Sequence, residues 1–156
     1  VCLAGQPVRM RGVGEHLSPL PTLPPVWLVL VNPRVPVPTP QVFAALVRRD
    51  HPPIPAMPAA ALTSAATFAD WLRAHTRNDL VEAARQVAPV LEKVHAALDD
   101  APGCLLARMS GSGGTHFGLF ASESAATTAV DHLRAAHPDW WVVTAPQQAD
   151  SQGFRA

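Results

Sequence analysis

The strongest constraint on the fold lies in residues 107–120, which have the sequence ARMSGSGGTHFGLF. Two apolar segments, Gly103–Met109 and Thr115–Phe120, flank a stretch made almost entirely of serine and glycine. This arrangement is typical of a β-hairpin, in which a short turn joins two antiparallel strands. A tight hairpin turn needs two residues and often one glycine, whereas this loop holds three glycines and two serines. The loop is therefore either a flexible tip or a place where bare backbone approaches a ligand.

Other periodic segments place strands and helices around this hairpin. Val26–Val31 is short, β-branched and bounded by prolines, which is typical of a buried central strand. A last strand is predicted at Trp140–Thr144, and a strand pair within Val1–Leu20. Helices are predicted at residues 39–49, Thr67–Ala74, 78–98 and 122–137, the third with a break or kink at Pro89.

The first of these helices has a favourable start. Thr39 is predicted at the cap position and Pro40 at the first helical position. The apolar positions expected on one face of this helix are Val42, Phe43, Leu46 and Val47.

The element order after residue 25 is strand, several helices, strand, strand, helix, strand. This order predicts an α+β fold, a ferredoxin-like β-α-β-β-α-β sandwich with extra helices in the first crossover, whose helices cover one face of an antiparallel sheet. We expect residues 21–145 to form this domain, and residues 146–156 to be a frayed polar tail.

Charge and apolar content exclude several function classes. The chain of 156 residues carries 12 basic and 12 acidic side chains, which gives no overall attraction to nucleic acid or to an anionic membrane. Its longest apolar stretch, Pro25–Val31, is too short to span a bilayer. Cys2 and Cys104 stand apart from each other, as expected of free thiols in a reducing cytoplasm. Because the chain begins at Val1, we expect it to be the C-terminal portion of a longer protein.

The familiar catalytic motifs do not fit. The glycine-rich loop is not a Walker A loop, since no lysine follows it, and His116 breaks a dinucleotide-binding pattern. Ser112 is not a nucleophile elbow, because position 110 is serine rather than glycine. The histidines lack the spacing of a metal site. We therefore expect no self-contained catalytic machinery and no metal ligand in this chain.

The loop itself offers chemistry for an anion. Glycines permit positive φ and carry no Cβ, so that successive N–H groups can converge on a phosphate. Ser110, Ser112 and Thr115 add hydroxyl groups. From the residues alone, a phosphate-related function and a flexible hairpin tip are equally favoured.

The loop resembles the third conserved motif of the GHMP kinases, the superfamily that includes galactokinase, homoserine kinase and mevalonate kinase. Three further stretches resemble, in the same order, the kinases of diphosphocytidyl-methylerythritol within that superfamily. They are GVGEHLSPL at 12–20, VWLVLVNPRVPVPTPQVFAAL at 26–46, and RNDLVEAA at 77–84.

This resemblance implies the C-terminal domain of a cytoplasmic kinase that transfers the γ-phosphoryl group of ATP, with Mg²⁺, to the 2-hydroxyl of 4-diphosphocytidyl-2-C-methyl-D-erythritol in non-mevalonate isoprenoid biosynthesis. It implies that the ATP loop, the catalytic aspartate and a lysine belong to an N-terminal domain outside this chain, whose sheet residues 1–20 would complete. The chain alone would be inactive. The alternatives are another GHMP kinase, such as a homoserine kinase, and a non-catalytic β-α-β-β-α-β ligand-binding module.

The resemblance also implies site residues. Phe43 would lie against the cytosine ring and Thr39 would line the same pocket; the alternative is that Thr39 only caps its helix and Phe43 only packs in the core. The loop would border the phosphates and the methylerythritol through Ser110, Gly111, Ser112, Gly113, Gly114 and Thr115. A side chain at Gly113 is expected to enter the space of the ligand and to lower the melting temperature only modestly. Asn78 and Asp79 are expected to be structural, as cap and dipole partner of their helix.

Overall fold

The computed structural model describes residues 7–12, 14–48 and 50–147. Its strands are β1 (Val8–Arg11), β2 (His16–Pro19), β3 (Trp27–Asn32), β4 (Leu106–Ser110), β5 (Thr115–Phe120) and β6 (Trp141–Pro146). Its helices are α1 (Thr39–Ala44), α2 (Ala65–His75), α3 (Val81–Val87), α4 (Val90–Asp99) and α5 (Glu123–Ala136), with a 3₁₀ turn at Ala59–Leu62. None of the helices in these ranges is long and apolar enough to cross a membrane.

Four strands form an antiparallel sheet in the order β4-β5-β3-β6. The central strand β3 pairs Trp27 with Phe120 of β5 on one side, and Val31 with Val142 of β6 on the other. The α+β class and the β-α-β-β-α-β order of elements predicted from the sequence are confirmed. Strands β1 and β2 form a separate two-stranded sheet.

Helices cover both faces of the four-stranded sheet, so the expectation that they cover only one face is wrong. On one face, Val94 and Leu98 of α4 pack with Phe120 and other buried side chains. On the opposite face, Phe68 of α2 packs with Leu106 and other buried side chains. The cause is that β4 and β5 present apolar side chains alternately to both faces, which leaves a second surface for α2 to bury.

Two predicted helix boundaries are confirmed. The helical pattern of residues 78–98 is interrupted at Pro89, between the end of α3 at Val87 and the start of α4 at Val90. The Ser122 hydroxyl accepts a hydrogen bond from the Ala125 N–H at 3.2 Å and so caps α5.

The first helix departs from its prediction at both ends. Pro38 holds the N-cap position and Thr39 is the first helical residue. The Thr39 hydroxyl bonds to Ser112 and not to a helix N–H. The helix ends at Ala44 after six residues. Val42 is buried, whereas Val47 lies beyond the helix and is 94% exposed, so the predicted apolar face is wrong.

The hairpin of β1 and β2 confirms the strand pair for the part of Val1–Leu20 that lies within the described residues. The Arg9 guanidinium donates hydrogen bonds to the backbone carbonyls of Ile54 and Pro55, which ties the hairpin to the proline-rich loop before α2. The assignment of residues 1–20 to the sheet of another domain stays a prediction, and the predicted tail from residue 148 onward lies outside the described residues, as does Cys2.

Candidate substrate-binding site around the glycine-rich loop

The glycine-rich loop connects β4 to β5 and has an unusual backbone. Gly111, Gly113 and Gly114 have φ values of 55°, 110° and 82°, in the left-handed region that favours glycine. The Gly113 N–H donates to the Ser110 carbonyl at 3.2 Å and closes the turn. Within the described residues, the N–H groups of Gly111, Ser112 and Gly114 find no acceptor. Three backbone N–H donors therefore lie close together in one loop, and such groups can bind an anion.

A side-chain hydrogen bond joins this loop to the start of α1. The hydroxyl oxygens of Thr39 and Ser112 are 2.7 Å apart. One turn further along the same helix, Phe43 is 47% exposed. A phenylalanine with so much accessible surface is not filling the core, which disfavours the packing alternative. The sequence-predicted residues on α1 and on the loop are thus brought to one side of the domain.

Asn32 links three segments beside the loop, and the sequence analysis missed it. Its side-chain amide donates to the Thr115 hydroxyl at 3.0 Å, while its side-chain oxygen accepts from the Arg34 N–H at 2.7 Å. Arg34 has φ of 58°, a conformation that a non-glycine residue holds only with support. The only sequence signal was an asparagine followed by proline at the end of a predicted strand.

Asn78 holds the first residues of the loop rather than capping a helix. Its side-chain amide donates to the Met109 carbonyl at 3.0 Å and to the Gly111 carbonyl at 2.8 Å, and its side-chain oxygen accepts from the Leu80 N–H at 3.0 Å. The cap position of α3 belongs to Leu80, so the expectation that Asn78 caps this helix is wrong. Asp79 pairs with Arg77 at 2.7 Å.

The missing side chain of Gly113 faces the protein interior. A Cβ built there would lie 3.2 Å from Leu91 Cδ1, 3.2 Å from Val37 Cγ1 and 3.4 Å from the Cβ of Ala84. The expectation that a side chain at this position would enter ligand space is therefore wrong. A Cβ at Gly111 would have no neighbour within 4 Å, so Gly111 is the glycine with an open side.

We call Asn32, Thr39, Phe43, Asn78 and the loop from Ser110 to Thr115 the recognition cluster. These residues can bind a ligand and hold it in one orientation. They supply hydroxyl groups, amides, backbone N–H groups and one exposed ring. No group of three histidine, cysteine, aspartate or glutamate side chains within residues 7–12, 14–48 and 50–147 could hold a metal ion. The arrangement suits the recognition of a ligand that combines an anionic part with a planar ring.

Comparison with protein-family sequence models identifies the family of this chain. The sequence model of the C-terminal region of GHMP kinases matches residues 56–139. The chain belongs to the GHMP kinase family. The matched residues include Asn78 and all of the glycine-rich loop, so the GHMP kinase C-terminal region contains most of the contacts described above.

Individual relatives agree with the family assignment. A 4-diphosphocytidyl-2-C-methyl-D-erythritol kinase of Cereibacter sphaeroides is 57% identical over 144 residues, which cover 91% of this chain and 51% of the relative. A crystal structure of 4-(cytidine 5'-diphospho)-2C-methyl-D-erythritol kinase superposes with a TM-score of 0.68 and 34% identity, covering 91% of this chain and 50% of that one. The chain therefore spans about half the length of the curated relatives it matches.

A solved structure of a homoserine kinase shares the architecture. The homoserine kinase of Cytophaga hutchinsonii superposes with a TM-score of 0.65 over 94% of this chain and 49% of its own, at 19% identity. Identity this low supports the shared fold alone.

His116, one residue after the loop, should make stability depend on pH. Its side chain is 2% exposed, and burial lowers its pKa to about 4, with His95 and Arg85 adding to the effect. The unfolded chain, with a histidine pKa near 6.5, binds this proton first as the pH falls, so stability declines between about pH 6.5 and pH 4 and is fully present above that window. The loss approaches about 3 kcal/mol at the acid end.

His116→Leu should remove this part of the decline. The measurement is the free energy of urea unfolding of the full-length protein at several pH values from 7 to 4. His132→Gln, on the exposed side of α5, is the matched histidine control and should leave the slope unchanged. A His116→Leu protein with an unaltered slope would contradict the assignment of a buried neutral imidazole.

Proposed function

We propose that this chain forms the C-terminal part of an ATP-dependent kinase that phosphorylates the 2-hydroxyl of 4-diphosphocytidyl-2-C-methyl-D-erythritol. The observation that carries the proposal is the Thr39–Ser112 hydrogen bond, which fixes the helix bearing an exposed aromatic ring to a loop with free backbone donors. The substrate has a cytosine ring at one end and a diphosphate near its centre, and it would require both recognition elements at once. The 57% identical relative carries the name of this kinase, which supports the same substrate.

Each part of the cluster has a role in this proposal. Phe43 stacks on the cytosine ring, since every base offers a face to an aromatic side chain. Thr39 lines the same pocket. The loop from Ser110 to Thr115 borders the diphosphate and the methylerythritol through its free N–H groups and hydroxyls. These contacts hold the substrate so that its hydroxyl meets the transferred phosphoryl group, and positioning supplies much of catalysis in phosphoryl transfer.

ATP and Mg²⁺ are assigned to residues outside this chain. In phosphoryl transfer, Mg²⁺ bridges the phosphates of the nucleotide and is held by carboxylates or similar ligands. The described residues offer no group of three such side chains, and the chain's one lysine, Lys93, lies on the exposed side of α4. This chain spans 51% of the 57% identical relative, which supports an N-terminal kinase domain as the partner that would supply nucleotide binding and the catalytic carboxylate.

A homoserine kinase is the second candidate, and Phe43 argues against it. Homoserine is a small amino acid without a ring, so a homoserine kinase would gain nothing from an exposed aromatic side chain beside the phosphate loop. Titration of the full-length protein with cytidine diphosphate separates the two candidates: the proposed kinase should be stabilised against heat by millimolar cytidine diphosphate, and a homoserine kinase by homoserine.

Phe43→Leu in the full-length protein should raise the KM for the cytidylyl substrate about tenfold or more. The reason is that stacking of a base on an aromatic ring is worth about 1–3 kcal/mol. The melting temperature should change little, because the ring is 47% exposed. The measurement is steady-state kinetics together with thermal unfolding.

Val47→Ala is the matched control, since it shortens another exposed apolar side chain just beyond the end of α1. This variant should keep the KM of the unmodified protein. An unchanged KM combined with a large loss of stability in Phe43→Leu would refute the stacking role and favour a packing role instead.

A further inference from the structure

A basic cleft of about 280 Å³ lies along the edge strand β4, between that strand and helices α3 and α4. Its charged and titratable lining consists of Arg77, Arg85, His95, Arg108 and His116, which come from five separate segments of the chain. No aspartate or glutamate is among the residues that line it. We define these five residues as the basic cleft.

Two of the three arginines already have carboxylate partners at the rim. Arg77 pairs with Asp79 at 2.7 Å. Arg85 pairs with Glu82 at 3.4 Å and with Glu92 at 3.6 Å. Their charges are balanced within the protein, so neither arginine by itself calls for an external anion.

Arg108 is different, because it forms no ion pair with any described residue. Its one side-chain hydrogen bond runs from Nη1 to the Ala107 carbonyl at 3.1 Å, and its Nε is buried without a partner. Partial burial and the nearby charge of Arg73 lower the pKa of this guanidinium, and the carboxylate of Asp99 offsets part of that effect. The partly buried guanidinium thus keeps a buried N–H group that no described acceptor satisfies, and such an unmet donor costs free energy.

The histidines add a second unsatisfied group to the same cleft. His116 is 2% exposed and its Nδ1 has no hydrogen-bond partner, while its ring lies 6.0 Å from the ring of His95. Burial lowers the pKa of both histidines, so both rings are neutral near pH 7. A neutral imidazole carries one donor and one acceptor nitrogen. The cleft thus combines a guanidinium that has no ion-pair partner with neutral rings. Each ring can donate a hydrogen bond to an oxygen of a ligand or accept one from a protonated oxygen.

We propose that the basic cleft binds a small oxyanion of the phosphate class, with Arg108 as its principal ligand. A guanidinium presents N–H groups in a fork that matches two oxygens of a phosphate. The cleft of about 280 Å³ has room for a phosphate group beside this guanidinium. The proposal does not depend on the identity of the kinase substrate.

Calorimetric titration of the full-length protein tests this site with two probes, inorganic phosphate and glycerol phosphate, against chloride at equal ionic strength. We expect saturable binding of phosphate, together with a rise in melting temperature that chloride does not reproduce. Arg108→Gln should weaken the phosphate Kd at least tenfold, since a charge-assisted hydrogen bond is lost. Stronger binding of glycerol phosphate would indicate a phosphate monoester as the ligand, and stronger binding of inorganic phosphate the free ion.

Two further variants serve as a charge control and as a substitute for Arg108→Gln in the phosphate-binding test. Lys93→Gln removes one positive charge from α4 without touching the cleft, and it should leave the Kd unchanged. If Arg108→Gln does not fold, Arg85→Gln should still weaken phosphate binding about threefold. Binding that survives Arg108→Gln but is lost in Ser112→Ala would place the phosphate at the glycine-rich loop and overturn the proposal, as would equal stabilisation by chloride.

Discussion

Replacement of Asn78 by alanine in the full-length protein is expected to lower kcat/KM for the proposed substrate about a hundredfold. Asn78 donates to the carbonyls of Met109 and Gly111 and accepts from the N–H of Leu80, so its side chain ties the start of the glycine-rich loop to the start of α3. A displacement of about 1 Å between reacting groups costs about a hundredfold in rate. Three lost hydrogen bonds should also reduce the free energy of unfolding by about 2–4 kcal/mol.

Asn78→Asp refines this test, because it alters only the donor half of the side chain. The carboxylate can still accept from Leu80, but it places an oxygen against the Gly111 carbonyl, which lies 2.8 Å from the present amide nitrogen. We expect a loss of kcat/KM similar to that of the alanine variant.

Asp79→Asn, a change to the next residue, is the control and should keep kcat/KM, since Asp79 contacts Arg77 and not the loop. If Asn78→Ala melts early but keeps its kcat/KM, Asn78 supports the fold and does not position the loop.

The sequence predicts the strands well because each has its own local signal. The run of β-branched residues between prolines locates β3, and the two apolar segments around the glycines locate β4 and β5. Pro89 marks the break between α3 and α4 because a proline removes a helix hydrogen bond wherever it stands. These features depend on neighbouring residues alone.

The failed predictions concern side chains whose partners lie far away in the sequence. Thr39 has the residue type and position of a helix cap, yet its hydroxyl bonds to Ser112, 73 residues later. Asn78 likewise bonds across 33 residues to Gly111. The Thr39 hydroxyl uses a distant partner, whereas Asn78 uses a local one, the Leu80 N–H, together with the distant loop, and only the tertiary structure supplies the distant partners.

The basic cleft has no local signal at all. Its arginines and histidines are spaced irregularly along the chain and meet only because α3, α4 and the edge of the sheet pack together. The placement of α2 on the second face of the sheet also depends on this packing, since an amphipathic helix does not specify which apolar surface it will cover.

Gly113→Val should lower the free energy of unfolding by about 2–5 kcal/mol. A side chain at φ of 110° costs about 1–2 kcal/mol, and forcing extra atoms into a packed interior costs about 1–3 kcal/mol more. The interior is formed here by Leu91, Val37 and Ala84, the first two of which would lie 3.2 Å from the new Cβ. The measurement is the melting temperature of the full-length protein, which should fall by about 10 °C.

Gly111→Asn is the matched change on the open side of the same loop, and together the two variants separate the loop's structural and ligand-binding roles. Asparagine tolerates the left-handed conformation, and a Cβ at Gly111 would meet nothing within 4 Å, so the melting temperature should change by no more than about 2 °C. If the loop backbone approaches the diphosphate, the new side chain obstructs the ligand and kcat/KM should fall about tenfold or more.

A Gly111→Asn protein with unchanged kinetics would mean that the open side of the loop contacts no substrate. A Gly113→Val protein that melts normally would mean that the loop is not anchored in the core.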